Sequence, residues 1–350
     1  NLLGEVGEGS GPTFCGLNIG RFKLGASAIG GQMIAVEAAA KYAKQRKAFG
    51  QSIANFGSIK EKLADCVMRI YTLDSMCYNT IGQQQDAISE LDESDSEYYV
   101  KQGDTTERFI AENSMVKIYG SETSQIVVDH CLQVFGGYGF IEEYPIAQGY
   151  RDQRINRIWE GTNEINRMLC GRDMITKTLT GELGLREYLS QVDNYCSNGV
   201  DSGYVGDYKP EVECIEASKA IYAIALNESL NKYGQDIGLE QVLMENLANI
   251  LIFSYAADST LSRVLQNNCK ADELPGLCVQ AYVAEEGIKV VEYARKIFNS
   301  IFDSSNMPKD IKDKFDKLGK RLTLDTDIIG IKKVIGEKTV EAGGYPVKNY

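Results

Sequence analysis

Glu160 stands between Ile158-Trp159 and Gly161-Thr162, with the chain's one tryptophan on one side and a helix-start signature on the other. A carboxylate among apolar neighbours loses hydration, which raises its basicity. Backbone N–H groups at a helix start can also receive an oxygen atom. A carboxylate base beside amide donors suits proton abstraction next to a carbonyl. The same residues fit a surface glutamate ahead of a helix capped by Thr162. Three further segments are unusual for packing alone. Gln133-Val-Phe-Gly-Gly-Tyr-Gly139 offers Gly136 and Gly137, which let backbone approach a phosphate or ring, or simply end a helix. Arg46-Lys-Ala-Phe49-Gly50 puts an arginine at a turn, to bind phosphate or to solvate a helix end. Asn18-Ile-Gly-Arg21 opens a helix, and Arg21 has no local acidic partner, so it also reads as a plain surface residue.

Composition narrows the classes. Of 350 residues, 43% are hydrophobic and 25% charged, which is a globular balance. The net charge of -12 argues against a sequence-independent nucleic-acid grip. No uninterrupted apolar run reaches membrane-spanning length. Nine cysteines without a C-x-x-C pair, and the single histidine His130, give no zinc constellation and no triad except one built on His130. The cysteines read as reduced core thiols. The chain opens on Asn1 in mid-phrase, so it reads as a fragment or a processed chain.

Helical periodicity must position these residues. It predicts helices over about 16–47, where Ala and Gly form a stripe that lets a neighbour approach, and over 58–83, where Ile59, Leu63, Cys66, Val67, Ile70, Leu73 and Cys77 define one apolar face. Further helices are expected over 106–134 and from Thr162 onward, with 89–104 an exposed acidic loop. Long helices with short or polar links favour an antiparallel four-helix bundle. A polar stretch over 194–209 ahead of Pro210 suggests a boundary, and helices over 212–233, 239–267, 275–302 and 311–322 then precede a Gly- and Pro-containing tail. The expected class is all-α: a remnant of a preceding β-domain at 1–15, a bundle at 16–185 and an additional helical domain at 186–350.

Taken together and in order, Asn18-Ile-Gly-Arg-Phe22, Arg46-Lys-Ala-Phe-Gly50, Asn55-Phe-Gly-Ser-Ile-Lys-Glu-Lys-Leu-Ala64, Phe135-Gly-Gly-Tyr-Gly-Phe140 and Trp159-Glu-Gly-Thr-Asn-Glu-Ile165 resemble the C-terminal half of the acyl-CoA dehydrogenase family. The closest likeness is its very-long-chain branch, with an extra helical domain. The resemblance covers about 1–180 by motif and the remainder by helical character. It implies an FAD-dependent removal of an α-proton and a β-hydride from acyl-CoA thioesters, as in fatty acid β-oxidation. It places Glu160 as the catalytic base, Gly161 beside the thioester, and Asn18 and Arg21 along the substrate. Thr162, Asn163 and Glu164 fall where the family contacts FAD. Phe49 is a further cofactor-binding position, and Arg46, Gln133, Gly136 and Gly137 match positions that reach the FAD of a neighbouring subunit, which implies at least a homodimer.

Electron-transfer flavoprotein is the implied electron acceptor, and no metal is implied. The location implied is cytoplasmic for a bacterial protein and mitochondrial for a eukaryotic one. Trp159 stands where the family often has Tyr or Phe, and Asn18 where shorter-chain branches have Asp. Without the preceding domains, this chain alone is expected to be inactive. An acyl-CoA oxidase and a non-catalytic scaffold or assembly protein are the alternatives. The segment 307–322, with Ile311, Phe315, Leu318 and Leu322 on one face and a lysine rim, reads either as a peripheral membrane helix or as a surface helix packed on its own domain.

Overall fold

The computed structural model describes residues 6–7, 9–199, 206–302 and 306–347. Four helices form the bundle: α1 (Ser10–Gln45), α2 (Gly57–Ser89), α4 (Ile110–Phe135) and α7 (Asn163–Leu179). The short α3 (Tyr98–Glu107), α5 (Gly137–Phe140) and α6 (Pro145–Gln153) lie between them. The class is all-α. Its only strands among the described residues are β1 (Lys47–Ala48) and β2 (Gln51–Ser52), a two-rung antiparallel hairpin that reverses the chain after α1.

The cross-links fix the helix directions. Gln32 of α1 donates to Ser124 of α4 at 2.7 Å, and Tyr42 stacks on Phe135 at 4.3 Å, so α1 and α4 run parallel. Gln84 of α2 reaches Asn113, while Cys66 reaches Val127, so α2 runs against α4. The order is up, down, up, down, and α1 packs directly on α4. That approach is close because glycine meets glycine. A Cβ on Gly120 would stand 2.9 Å from the Gly25 Cα. The small-residue stripe expected on the first helix performs this task.

Beyond the bundle come α8 (Leu185–Asn198), α9 (Lys209–Tyr233), α10 (Gln241–Gln266), α11 (Leu274–Ile301), α12 (Lys309–Arg321) and α13 (Ile328–Ala342). These helices share one continuous core with the bundle. Thr80 of α2 bonds Tyr255 of α10 at 2.7 Å, and the salt bridge of Arg263 to Asp74 spans 2.7 Å.

Several expectations need correction. The helix over 58–83 was expected to bury one face, yet α2 is buried without a break from Leu63 to Cys77. The reason is that α10, α11 and α13 cover its far side, and the charges there are paired. Asp65 meets Arg69, His130 and Lys332. The acidic stretch 89–104 is not wholly a loop, since α3 begins at Tyr98 and tucks Thr105 and Thr106 inward. The Gly- and Pro-containing tail holds one more helix, α13, which seats its Gly336 against the Lys60 backbone. Residues 10–15, assigned to a β-domain remnant, already belong to α1, and residues 1–5 lie outside the described residues.

Of the two readings of 307–322, burial supports the helix packed on its own domain. Ile311 and Leu318 of α12, with Leu322 just after it, are buried, and Phe315 packs on Phe298 at 5.3 Å. The helix has one apolar stripe, and its own fold already covers it. Among the described residues, no helix is long and apolar enough to cross a membrane.

Candidate active site

Glu160 sits in the short link that precedes α7. Its φ is +55°, and Gly161 follows at +80°. Left-handed backbone is unfavourable for a residue with a Cβ, so the surroundings must hold it there. Four donors do so. Asn166 Nδ2 donates to the carbonyls of Gly161 at 2.8 Å and Thr162 at 3.0 Å, with a longer contact of 3.4 Å to that of Glu160. Lys117 Nζ donates to the Gly161 carbonyl at 2.8 Å. Arg21 Nε lies 3.4 Å from the Glu160 carbonyl. Thr162 then caps α7, its hydroxyl accepting from the Ile165 N–H at 3.3 Å. With the carbonyls so engaged, the N–H groups of Glu160 and Gly161 make no hydrogen bond among the described residues.

The Glu160 side chain lies over α1 at Gly20. A Cβ there would stand 2.7 Å from Glu160 Oε2, so the glycine makes room for the carboxylate. Arg21, next in the chain, is buried, and burial lowers its pKa although Glu160 opposes the shift. It is therefore not a plain surface residue; its partner is distant in sequence. Ile158 and Trp159 are 48% and 53% exposed, so the apolar neighbours read from the sequence do not wall in Glu160. The carboxylate sits at an open edge, bounded by α1 on one side.

The other residues at this end fall into two groups. Glu164 is exposed on the first turn of α7. Hydrogen bonds from its own backbone amide and the Thr162 hydroxyl lower its carboxyl pKa. Asn163 and Asn18, by contrast, turn inward. Asn163 Nδ2 donates to Ser121 and Glu122, each at 3.0 Å, and its Oδ1 accepts from Lys117 at 2.7 Å. Asn18 Nδ2 donates to the Thr106 carbonyl at 2.9 Å. The bundle thus uses both amide nitrogens, whereas Asn18 Oδ1 is buried with no hydrogen-bond partner among the described residues.

A second cluster gathers at the far end of α1. Arg46 lies 5.5 Å over the Tyr138 ring and has no carboxylate partner among the described residues. Phe49, at φ +52°, is 95% exposed at the hairpin turn. Gln133 is exposed on the last turn of α4, and its carbonyl accepts from the Gly136 N–H at 3.1 Å. Gly136 has φ +59°, and nothing lies within 4 Å of a Cβ on Gly136 or Gly137. Tyr42, Arg46, Phe135 and both glycines line a cleft of about 480 Å³. Bare backbone beside an uncompensated cation fits a phosphate-bearing cofactor.

The two clusters are separate. Arg21 and Arg46 are 25 positions apart, or about 37 Å along the helix. No single flavin ring meets both within one chain.

Sequence reasoning missed Lys117, Asn166 and the bidentate pair of Arg167 with Glu122 at 2.8 and 2.9 Å. A lysine two residues after Met115, inside an otherwise small and apolar run, was the available signal. Asn166, one helical turn beyond the Thr162 cap, was the other.

Fold and site together define an all-helical bundle domain with a carboxylate on a clamped turn at its edge. Residues 7–175 match the family model described as acyl-CoA dehydrogenase, C-terminal domain. A probable acyl-CoA dehydrogenase of Bacillus subtilis is 37% identical over 268 residues, 75% of this chain and 44% of that protein. The human very long-chain specific acyl-CoA dehydrogenase, mitochondrial, is 32% identical over 282 residues, 75% of this chain and 40% of its own length. An acyl-CoA dehydrogenase from Bacillus anthracis, solved in complex with FAD, superposes with a TM-score of 0.91 at 32% identity, covering 99% of this chain and 60% of that one. Residues 7–175 thus belong to the acyl-CoA dehydrogenase family as its C-terminal domain. The chain spans less than half the length of these curated relatives.

Proposed function

We propose that this chain is the C-terminal part of an FAD-dependent acyl-CoA dehydrogenase, with Glu160 as the base that removes the α-proton of an acyl thioester. The observation that carries the proposal is the Glu160–Gly161 turn, whose carbonyls are tied down while its carboxylate and N–H groups remain available. An α C–H is a very weak acid. Its removal needs a base in place and donors where the carbonyl oxygen gathers charge. Glu160 supplies the base, and the free N–H groups of the turn are suitable donors. Arg21 and Gly20 fix the approach of α1, so the carboxylate is presented over a groove without a Cβ.

FAD, when bound, accepts the β-hydride. Thr162 and Glu164 at the start of α7 would hold it in one subunit, and Arg46, Phe49, Gln133, Gly136 and Gly137 in its neighbour. The 37 Å between the clusters supports a homodimer in which each chain contributes to two sites. Electron-transfer flavoprotein is the acceptor consistent with a dehydrogenase of this family.

The test is anaerobic titration of the full-length protein with long- and short-chain acyl-CoA, following the oxidised flavin band. Bleaching in the parent and none in Glu160→Gln, with flavin retained, is the expected result. A parent that binds no flavin, or whose flavin never bleaches, overturns the proposal. A fully active Glu160→Gln removes Glu160 from its role.

A further inference from the structure

Lys117 is 0% exposed, yet no carboxylate pairs with it among the described residues. A buried unpaired cation costs several kcal/mol, roughly, so its retention calls for a gain elsewhere. Among the described residues its ammonium meets two acceptors, the Gly161 carbonyl at 2.8 Å and Asn163 Oδ1 at 2.7 Å. Both belong to the segment that carries Glu160. A Leu or Met at this position would fill the core equally well but take the charged donor from both oxygens, leaving the Gly161 carbonyl to Asn166 and Asn163 Oδ1 to the Ser121 hydroxyl.

The lysine is itself held in place. Val116, the residue before it, touches Gly25 of α1, and Gly120, three residues on, forms the glycine crossing. The α1–α4 contact thereby sets the height at which the ammonium reaches the turn. Asn163 extends the chain of contacts. Its amide donates to Glu122, which binds Arg167, and Arg167 Nε donates to Asn249 of α10 at 2.8 Å.

We infer that Lys117 is a positioning residue for the Glu160 turn, its buried ammonium holding the Gly161 carbonyl and the Asn163 side chain so that Glu160 stays in its left-handed conformation over Gly20. This rests on the reading of Glu160 as the base. Lys117 acts through the turn and touches no reacting atom.

The charged state can be lost within an accessible pH range. Burial lowers the Lys117 pKa to about 8. Glu122 on α4, Glu164 on α7 and Glu160 on the turn work against that shift, whereas Arg21 on α1 adds to it. A neutral amine keeps two N–H groups but loses the charge assistance at both acceptors, so the clamp loosens as pH rises through that value.

The test uses the full-length holoenzyme and its Lys117→Met variant. Three quantities are read: flavin content, the dissociation constant of a non-reacting acyl-CoA analogue, and the single-turnover bleaching rate across pH. A misplacement of about 1 Å at a reacting centre costs on the order of a hundredfold. The expected result is therefore a bleaching rate reduced roughly tenfold to a hundredfold, with analogue binding little changed. The parent's rate falls above about pH 8, and the variant lacks that limb. A Lys117→Met enzyme with the parent's rate and pH profile overturns the inference. If Glu160→Gln is inactive in the same experiments, the reading of Glu160 survives that loss; if Glu160→Gln is active, both fall. Should Lys117→Met not retain flavin, the unmodified enzyme decides. A bleaching rate flat from about pH 7 to 9.5 sinks the inference, and a falling limb near pH 8 supports it.

Discussion

Gly25 and Gly120 touch where α1 crosses α4, a Cβ on Gly120 standing 2.9 Å from the Gly25 Cα and 3.1 Å from its carbonyl oxygen. Backbone on backbone leaves nothing flexible to yield. Gly120→Ala must push the two helices apart, and overpacking of this kind costs about 1–3 kcal/mol. Denaturant titration of the variant should show that loss. It should also show a slower bleaching rate, because the same crossing sets the height of Lys117.

Gly20→Ala separates geometry from stability. The clash is with Glu160 Oε2, the end of a movable side chain, so the fold can absorb it by displacing the carboxylate. The melting temperature should stay close to the parent's while the bleaching rate drops roughly tenfold or more, as expected for a base moved off its line. A variant with full activity would show that the carboxylate is not used where it rests.

At the other end of α1, Arg46→Ala should weaken flavin retention. A charge-assisted hydrogen bond to a phosphate contributes about 1.5–3 kcal/mol, which corresponds to at least a tenfold rise in dissociation constant. The ratio of flavin to protein after dilution and gel filtration measures it. Retention equal to the parent's would mean that the cleft between Tyr42 and Gly137 holds something else.

Asp65 gives the acid limb of stability. Burial opposes its ionisation, but the hydrogen bond to His130 and the charges of Arg69 and Lys332 outweigh that and hold the carboxyl well below the usual range. In the unfolded chain the group titrates near about 3.9. Its stabilisation is thus complete above that value and lost as pH falls towards the lower folded value. Thermal melts of Asp65→Asn should show a constant deficit against the parent above about pH 5, narrowing as pH drops below 4. Removing one member of a buried pair costs roughly 3–5 kcal/mol at neutral pH.

What could be read from the sequence followed local chemistry. Thr162 is a cap because of its own hydroxyl, and the stripe of Gly and Ala on α1 announces a close neighbour whatever that neighbour is. The two clusters were also legible as residues, though not their distance apart. What escaped depended on partners remote in the chain. Lys117 resembles any helix lysine until α7 is laid against α4. The apolar period of α2 describes one face, while the polar face, with Asp65, Arg69 and Asp74, is buried by helices more than 180 residues further on. Tyr98–Glu107 carries too few apolar residues to declare a helix, and α13 contains Gly330 and Gly336, which look like breakers until the Asp327 carboxylate and the Lys60 backbone are seen to need the space.

From Leu63 to Cys77, α2 has no side free of neighbours, and half of those neighbours come from beyond residue 206. The polar stretch between α8 and α9 is therefore a seam in the chain and not in the energetics of folding. Heat or denaturant has no stable bundle to strip bare by releasing the later helices, for their departure would open a full apolar flank, take Lys332 from Asp65 and Glu286 from Arg69, and leave Asp74 without Arg263. The helices on both sides of the seam melt as one cooperative body, with α2 as its shared axle.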